Sequence, residues 1–312
     1  MPELPDITVY VERAQSLLRG RTLRRVRVHN PFVLRTAVPP IASIEGRTVQ
    51  GVERLGKRVV LAFDGELLLV VHLMIAGRLR WLAPGTKLPG KLALASLEFD
   101  HGQLVLTEAG TTRRASIHLV PDRAALAAMD PGGIDVMACE AAGFDSRLRS
   151  ENHTLKRALT DPRLFSGIGN AYADEILHRA RLSPVALTRS LPATDVQRLL
   201  DATRAVLAEW TARLLAEAPV WPDKVTAFRT GMAVHGRYGQ PCPVCGAPVQ
   251  RIAYADNEAN YCARCQTGGK LLADRALSRL LHDDWPKTLA EMEERRPARV
   301  PPPAPGSARR RR

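Results

Sequence analysis

The first residues of the chain, Met1-Pro2-Glu3-Leu4-Pro5-Asp6, place a secondary amine next to a carboxylate once Met1 is removed. A free terminal amine titrates at about pH 8, far below a lysine side chain. In its neutral form such an amine is a nucleophile that attacks aldehydes. A proline near the start of a chain also serves simply as a rigid, exposed beginning, so this segment alone leaves both interpretations open.

Four cysteines near the end of the chain form two Cys-x-x-Cys pairs, Cys242 with Cys245 and Cys262 with Cys265. The sixteen residues between the pairs suit four thiolates closing tetrahedrally on Zn²⁺, and the alternative is two unrelated thiol pairs. Because sulfur would occupy all four positions, the one predicted zinc ion is structural rather than catalytic. The segment between the pairs can form a hairpin, which predicts a ribbon-type finger over residues 238–268.

Charge and composition restrict the class of partner. The chain has 312 residues, with 45% hydrophobic and 25% charged residues, which is typical of a globular protein of two domains. Its 45 Lys and Arg residues exceed its 32 Asp and Glu residues and give a net charge of +13. This excess favours a polyanionic partner such as nucleic acid or an anionic membrane face, although a generally basic surface is the alternative.

Nothing in the sequence predicts a membrane or secretory segment. The longest apolar run, Leu67–Ala76, is interrupted by His72 and is too short to cross a bilayer, so we interpret it as a pair of buried strands. Acidic residues break up the first twenty positions, which argues against a secretory signal. Since five cysteines, four of them in close pairs, do not make a disulfide framework, we expect a cytoplasmic protein with no membrane contact.

Apolar spacing predicts an α+β multidomain fold. A leading helix over Ile7–Leu18 and an antiparallel β-sandwich make up residues 1–133, with hairpin turns at Asp64-Gly65 and His101-Gly102. The predicted strands are rich in Leu and Val and lie near Leu23–Val28, Val59–Phe63, Leu67–Leu73, Leu79–Leu82, Ala95–Phe99 and Leu104–Thr107.

After Pro131-Gly132-Gly133 the pattern becomes helical. We expect a linker over residues 134–150 and then a helical domain over 151–237, with helices at Thr154–Leu159, Ala171–Ala180 and Asp195–Ala216. The finger is followed by a helical extension, 269–296, with a helix at Leu271–Leu281, and by a disordered basic tail, 297–312. The tail either adds non-specific DNA affinity or only improves solubility.

Several motifs in a fixed order carry a resemblance to a known family. Pro2-Glu3, Gly56-Lys57, the run Phe165–Glu175 and the four-cysteine finger together resemble the formamidopyrimidine-DNA glycosylase / endonuclease VIII family over residues 1 to about 268. The resemblance implies a β-sandwich with a leading helix, then a helix-two-turn-helix domain with a zinc finger. It also implies that duplex DNA with damaged bases or abasic sites lies in the cleft between them; we expect a monomer.

The resemblance implies a bifunctional enzyme that releases oxidised or ring-opened bases and then nicks the abasic site. Pro2 would attack C1′ of a flipped-out nucleotide and expel the base, leaving an iminium. Glu3 would supply or shuttle protons at the sugar. Since the iminium acidifies the C2′ hydrogen, β-elimination then cuts the strand on the 3′ side.

Further roles follow from the same resemblance. Lys57 would hold a phosphate near the lesion and assist protonation, with a solvated strand lysine as the alternative. Asn170, at the turn into a helix, would bind phosphate through its amide together with nearby backbone N–H groups. DNA contacts are also implied for Lys156 and Arg237, and supporting acid roles for Asp6, where a Glu is commoner, and for Glu175.

The chain departs from the family pattern at DNA-facing positions. The family usually has an Arg five residues before the third zinc ligand, which is implicated in δ-elimination, and this position is Asn257. Arg251 or Arg264 could compensate. The loop 108–115, which corresponds to the void-filling loop, has Arg113 and Arg114 as predicted DNA contacts but no aromatic residue.

Two apolar residues offer a substitute for that aromatic residue. Met74 or Ile75 could act as a wedge in the base stack, because an apolar side chain can occupy the gap left by an extruded base. The departures also leave other functions open. One is a damaged-DNA-binding protein of the same fold with AP lyase activity but little glycosylase activity. Another is a zinc-ribbon module of transcription or translation.

Overall fold

The computed structural model describes residues 1–110, 112–255, 257–273 and 286–295. The predicted disordered tail, 297–312, and most of the predicted helix Leu271–Leu281 lie outside the described residues. Among the helices that the structure describes, none combines the length and the apolar character needed to span a membrane.

Helix α1 (Leu4–Leu18) begins three residues before the predicted start because of its N-terminal cap. The Glu3 side chain accepts the backbone N–H of Asp6, and the Asp6 side chain accepts the backbone N–H of Glu3, so each satisfies a donor left free at the helix end. Ile7, Tyr10 and Leu18 on one face of α1 are 0% exposed. The helix is therefore fixed both at its first turn and along its apolar face.

Two four-stranded antiparallel sheets form the predicted sandwich, which is thereby confirmed. In one sheet the order is β1-β6-β7-β5, and in the other it is β2-β3-β4-β8. The strands are β1 (Arg25–Val28), β2 (Val49–Leu55), β3 (Arg58–Phe63), β4 (Leu68–His72), β5 (Gly77–Leu82), β6 (Ala93–Phe99), β7 (Gly102–Glu108) and β8 (Ser116–Val120).

Sequence patterning missed β2 and β8 and misinterpreted the run Leu67–Ala76. That run is one strand, β4, followed by a turn, and not a pair of strands. Residues 68–71 are all apolar because β4 is covered on both faces. Leu69 packs into the sandwich core, while Leu68 packs in a second cluster with Leu126 of α2 (Arg123–Ala127). β2 was not predicted because its sequence, VQGVERL, is largely polar. The strand is only partly buried.

The helical domain contains α3 (Ala141–Arg149), α4 (Leu155–Thr160), α5 (Asn170–Arg179) and α6 (Ala193–Glu217). The predicted linker, residues 134–150, is corrected, because it contains α3 and belongs to this domain. Phe144 and Leu148 are 0% exposed in the helical core, and the Ile134 N–H donates to the Leu164 carbonyl at 3.0 Å. With these two as its only buried residues, α3 has too weak an apolar period for detection from sequence.

Helix α1 belongs to both domains. Leu4 and Val9 pack into the helical core, whereas Ile7 and Tyr10 pack into the sandwich core. Arg54, at the end of β2, adds a polar contact, since its guanidinium lies 2.5 Å from Asp135 and 3.1 Å from the Ser166 hydroxyl. The start of the chain is therefore held at the boundary of the two domains.

The finger contains the predicted hairpin, formed by β9 (Val249–Ala253) and β10 (Glu258–Cys262), and a short helix, α7 (Ala263–Thr267). The described part of the extension returns to the finger through α8 (Leu289–Glu294). Leu271 and Leu289 are buried in the finger core, and the Leu289 N–H donates to the Gly269 carbonyl at 2.9 Å. The extension thus enlarges a finger core that is small by itself.

Candidate active site and metal centre

The Glu3 carboxylate is buried against the first turn of α5. One oxygen accepts the Gly169 N–H at 2.7 Å, the other accepts the Ala171 N–H at 2.9 Å, and the Tyr172 N–H lies at 3.3 Å. Glu3 is only 3% exposed, so these donors replace water around it. The first turn of a helix offers free N–H groups and the positive end of the helix dipole, which suits a carboxylate.

We call the place where the N–H groups of Gly169 and Ala171 hold this carboxylate the Glu3 seat. The two glycines of the turn Ser166–Asn170 leave the space that the carboxylate needs. Gly167 has φ +84°, and a Cβ there would lie 2.9 Å from the Leu4 Cβ. A Cβ on Gly169 would lie 2.5 Å from the Glu3 Cδ. The Gly-Ile-Gly sequence is therefore required by the close approach of the chain start to α5.

The amino terminus of the chain lies in the same region. Burial lowers the pKa of the Met1 amine from its ordinary value; Arg78 and Lys57 lower it further, while Glu3 and Asp6 oppose the shift. Pro2 is buried beside this amine. An environment that removes water from an amine favours its neutral, nucleophilic form.

Asp6 links the start of α1 to the segment that follows α6. Its Oδ2 accepts the Glu3 N–H at 2.9 Å, and its Oδ1 accepts a bond from Arg229 at 2.5 Å. Both side chains are largely buried, at 3% and 11% exposed. A buried carboxylate needs such a partner, and sequence reasoning did not identify Arg229 because the two residues are 223 positions apart.

Lys57 lies in the turn between β2 and β3, directly after Gly56 with φ +60°. Burial lowers its pKa; Glu3 opposes the shift and Lys156 adds to it. His72, at the end of β4, pairs in register with Arg58. Burial, with Arg58, Lys57 and His118 acting in the same direction, lowers the pKa of His72 to about 4. The sequence signal for His72 was its position inside the longest apolar run.

Lys156 is placed in a buried network. Its ammonium lies 2.6 Å from the Asp174 carboxylate and 2.5 Å from the Asn170 carbonyl, and the other Asp174 oxygen lies 2.8 Å from His235 Nδ1. Lys156 is 8% exposed. The structure thus gives the ammonium internal partners, and its predicted DNA contact stays a prediction. The Asp174 carboxylate is thus shared by Lys156 and the buried His235.

Glu175 and Asn170 connect α5 to the finger. The buried Glu175 carboxylate accepts the backbone N–H groups of Ala233, Val234 and His235 at 2.7 to 2.9 Å. The Asn170 side-chain amide donates to the Glu258 carbonyl in β10 at 3.0 Å. Both residues therefore have structural contacts, and their predicted roles as supporting acid and phosphate ligand stay predictions.

Arg237 lies between these contacts and the finger. Its guanidinium donates to the carbonyls of Met232 at 3.0 Å and Pro241 at 3.1 Å. These bonds fix the course of the chain into the finger. The predicted phosphate contact of Arg237 stays a prediction.

The four cysteine sulfurs form a site that fits one zinc ion. They lie within 4.8 Å of one another, with Cys242 and Cys265 at 3.9 Å and Cys245 and Cys262 at 3.4 Å. Thiolates bound tetrahedrally at ~2.3 Å from Zn²⁺ lie about 3.8 Å apart. The finger therefore has the donor set and dimensions of a structural zinc site, as predicted.

Three family models match the chain in succession. The formamidopyrimidine-DNA glycosylase N-terminal domain matches residues 1–116, its H2TH domain matches residues 130–213, and the zinc finger found in FPG and IleRS matches residues 239–268. The formamidopyrimidine-DNA glycosylase of Thermus thermophilus is 36% identical over 275 residues, which cover 86% of this chain and 100% of that protein. The chain belongs to this family.

Solved structures agree with the fold. The crystal structure of MutM (Fpg) from Thermus thermophilus is 33% identical, with a TM-score of 0.73 over 85% of this chain and 98% of that chain. The Lactococcus lactis Fpg in complex with abasic-site DNA has a TM-score of 0.77 at 22% identity, over 85% of this chain and 99% of that chain. The predicted family and fold are thus confirmed.

Within this family fold, the residues predicted to enter the base stack lie on two adjacent loops. Gly77 of β5 pairs in register with Glu108 of β7, so the turn with Met74 and Ile75 lies beside the point where the chain leaves β7. Ile75 is 59% exposed, whereas Met74 is partly buried with φ +52°. The structure therefore brings these two predicted segments together.

The exposed arginines of the second loop, Arg113 and Arg114, are anchored differently. The Arg113 guanidinium donates to the Lys91 carbonyl at 2.8 Å. The Arg114 backbone N–H donates to the buried Glu108 carboxylate, which leaves its side chain at the surface. The predicted DNA contacts of both arginines stay predictions.

Asn257 is exposed at the tip of the finger hairpin, where the Tyr254 N–H donates to its carbonyl at 2.8 Å. The two arginines suggested as substitutes have partners inside the finger. Arg251 pairs with Glu258 at 3.6 Å and stacks on Tyr238, and Arg264 donates to the Cys245 carbonyl at 3.1 Å. The tip of the hairpin therefore lacks the positive charge that the family pattern usually places there.

We predict that the His72 imidazole stays neutral down to about pH 4, well below the ordinary value of 6.5. Between these two pH values the folded protein binds fewer protons than the unfolded chain, so this group destabilises the fold as the pH falls from 6.5 toward 4. An NMR titration of the imidazole signals, assigned with His72→Gln, measures the midpoint. A midpoint near 6.5 would contradict the buried environment of this side chain.

Proposed function

We propose that this family member is a base-excision DNA glycosylase that releases oxidised or ring-opened bases and cleaves the abasic strand by β-elimination. The observation that carries the proposal is the burial of Pro2 next to a Glu3 carboxylate that the first turn of α5 holds in place. The related structures hold abasic-site DNA and DNA containing 8-oxo-G, which supports damaged duplex DNA as the substrate. We further propose that the protein acts as a monomer in the bacterial cytoplasm.

The first step requires a free secondary amine, which removal of Met1 would give to Pro2. The neutral amine attacks C1′ of the extruded nucleotide, a C–N bond forms, and the glycosidic bond breaks with its electron pair leaving on the base. A proton must reach the departing base or the sugar oxygen. Glu3, the acidic residue next to the amine, is the proposed proton shuttle.

The second step breaks the strand. The Pro2 nitrogen loses its proton, the C1′–O4′ bond of the sugar ring breaks, and O4′ takes up a proton, which leaves an iminium between Pro2 and C1′. The iminium makes the C2′ hydrogen acidic. Loss of this proton to a base expels the 3′ phosphate, and water then hydrolyses the iminium to free the amine. Lys57, whose partly buried ammonium lies near Glu3, is the proposed phosphate ligand at this point.

The seat on α5 explains why Glu3 can serve a nucleophile only one residue away. An unrestrained carboxylate at the start of a chain would sample many positions, whereas the N–H groups of Gly169 and Ala171 hold it in one place. Proton transfer depends steeply on such geometry. The helical domain therefore contributes to the proposed catalysis by positioning Glu3.

A borohydride trapping experiment tests the covalent step. Reduction of the iminium on an abasic-site duplex should yield a stable protein–DNA adduct with the natural chain, and Pro2→Gly should lower its yield at least about tenfold because the secondary amine is lost. Pro31→Gly, at an exposed position, is the matched control and should trap normally. Binding of the duplex without an adduct would favour a damaged-DNA-binding protein instead.

The role of the Glu3 seat can be tested by adding one methyl group at Gly169. Gly169→Ala would push the Glu3 carboxylate from its position, and a displacement of about 1 Å can lower a rate by about 10²-fold. Gly143→Ala in α3, where a Cβ meets no atom within 4 Å, is the control. Single-turnover base release and strand cleavage give the comparison. A normal rate in a folded Gly169→Ala protein would show that the seat does not matter.

Asn257→Arg should increase the share of δ-elimination product on an abasic duplex. The substitution restores a guanidinium at the hairpin tip, where the neutral amide cannot hold a phosphate by charge. Electrophoresis of end-labelled strands resolves the β- and δ-products. Asn257→Gln should leave their ratio unchanged, and an equal ratio in Asn257→Arg would be evidence against this role of the position.

A further inference from the structure

Helix α5 extends from the Glu3 seat to the metal centre. Its first turn holds the Glu3 carboxylate, and its last turn places His178 Nε2 at 3.2 Å from the Cys242 sulfur. His178 lies eight positions after Asn170 in this helix, which corresponds to a rise of about 12 Å along the helix axis. One rigid element thus contacts both the start of the chain and a zinc ligand.

The contact has the chemistry of a hydrogen bond to a metal thiolate. A zinc-bound thiolate only accepts hydrogen bonds, so the Nε2 of His178 must carry the hydrogen. Both groups are buried, with His178 6% and Cys242 2% exposed. Four thiolates exceed the charge of one Zn²⁺, and a buried N–H donor stabilises the excess negative charge on sulfur.

The other links between the finger and the helical domain do not reach the sulfurs. The Gln266 amide donates to the Leu182 carbonyl at 2.9 Å, and the Asn170 amide donates to the Glu258 carbonyl. Another N–H donor to one of the four sulfurs is the Cys265 backbone, which bonds Cys262 within the finger itself. His178 is therefore placed to join the metal centre to α5.

We propose that His178 is a positioning residue of the zinc site, which donates a hydrogen bond to the Cys242 thiolate and thereby fixes the metal centre to α5. Removing the donor leaves the thiolate charge without its partner, so the metal is held less tightly. Because His178 and the residues that hold Glu3 belong to the same helix, this bond also fixes the position of the finger relative to the Glu3 seat. The inference concerns metal retention and does not depend on the proposed catalytic reaction.

Zinc release from the full-length protein tests this role. His178→Phe keeps a ring of similar size but removes the donor, and a lost hydrogen bond of this kind lowers metal affinity by about 10- to 100-fold. We expect a comparable increase in zinc transfer to an excess of a chromophoric chelator. His178→Gln retains an amide N–H of similar reach and should restore most of the retention.

Two further measurements distinguish loss of the proposed hydrogen bond from a general loss of stability of the fold. Thr203→Val removes a buried hydroxyl that donates to the Leu199 carbonyl within α6, far from the finger in sequence, and should release zinc at the natural rate. In the cobalt-substituted protein, His178→Phe should shift the sulfur-to-cobalt charge-transfer band. The proposal is overturned if His178→Phe retains zinc normally, if Thr203→Val or His178→Gln loses it equally fast, or if the cobalt band is unchanged.

Discussion

The seat of the Glu3 carboxylate on the first turn of α5 is the contact on which the rest of the structure depends. It joins residues 166 or more positions apart and brings the start of the sandwich domain to the turn of the helical domain. Buried charge is tolerated only with such partners, so the carboxylate specifies where the domains meet. The two glycines, the cap of α1 and the position of the amine all follow from this requirement.

Helix α5 extends this constraint to the finger. Along its length α5 bonds the finger, or the segment that leads to it, through four side chains: Asn170, Asp174, Glu175 and His178. A polar side chain on a buried helix is costly unless it is satisfied, so the chain can place polar residues here only because the finger supplies their partners. This explains why a helix with many polar residues is nevertheless almost fully buried.

The sequence predicted the parts of this molecule that local pattern determines. The four-cysteine spacing, the short segments rich in Leu and Val and the order of the family motifs were sufficient for the sandwich, the helical domain and the finger. It did not predict β2, β8 or α3, whose local periods are weak, nor the partners Arg229 and His178. Their contacts join residues far apart in the chain, and only the folded structure shows that Lys156 has internal partners.

Two of the departures from the family pattern lie away from these contacts. Asn257 is at the exposed hairpin tip. The loop without an aromatic residue is held by the Glu108 carboxylate, which accepts the backbone N–H groups of Arg114 and Ala115. Every residue except proline offers such a backbone donor. Because backbone bonds fix these loops, their side chains can change without cost to the Glu3 seat. The Glu3 seat and these two exposed departures therefore lie in separate parts of the molecule, so the departures can diverge while the seat is retained.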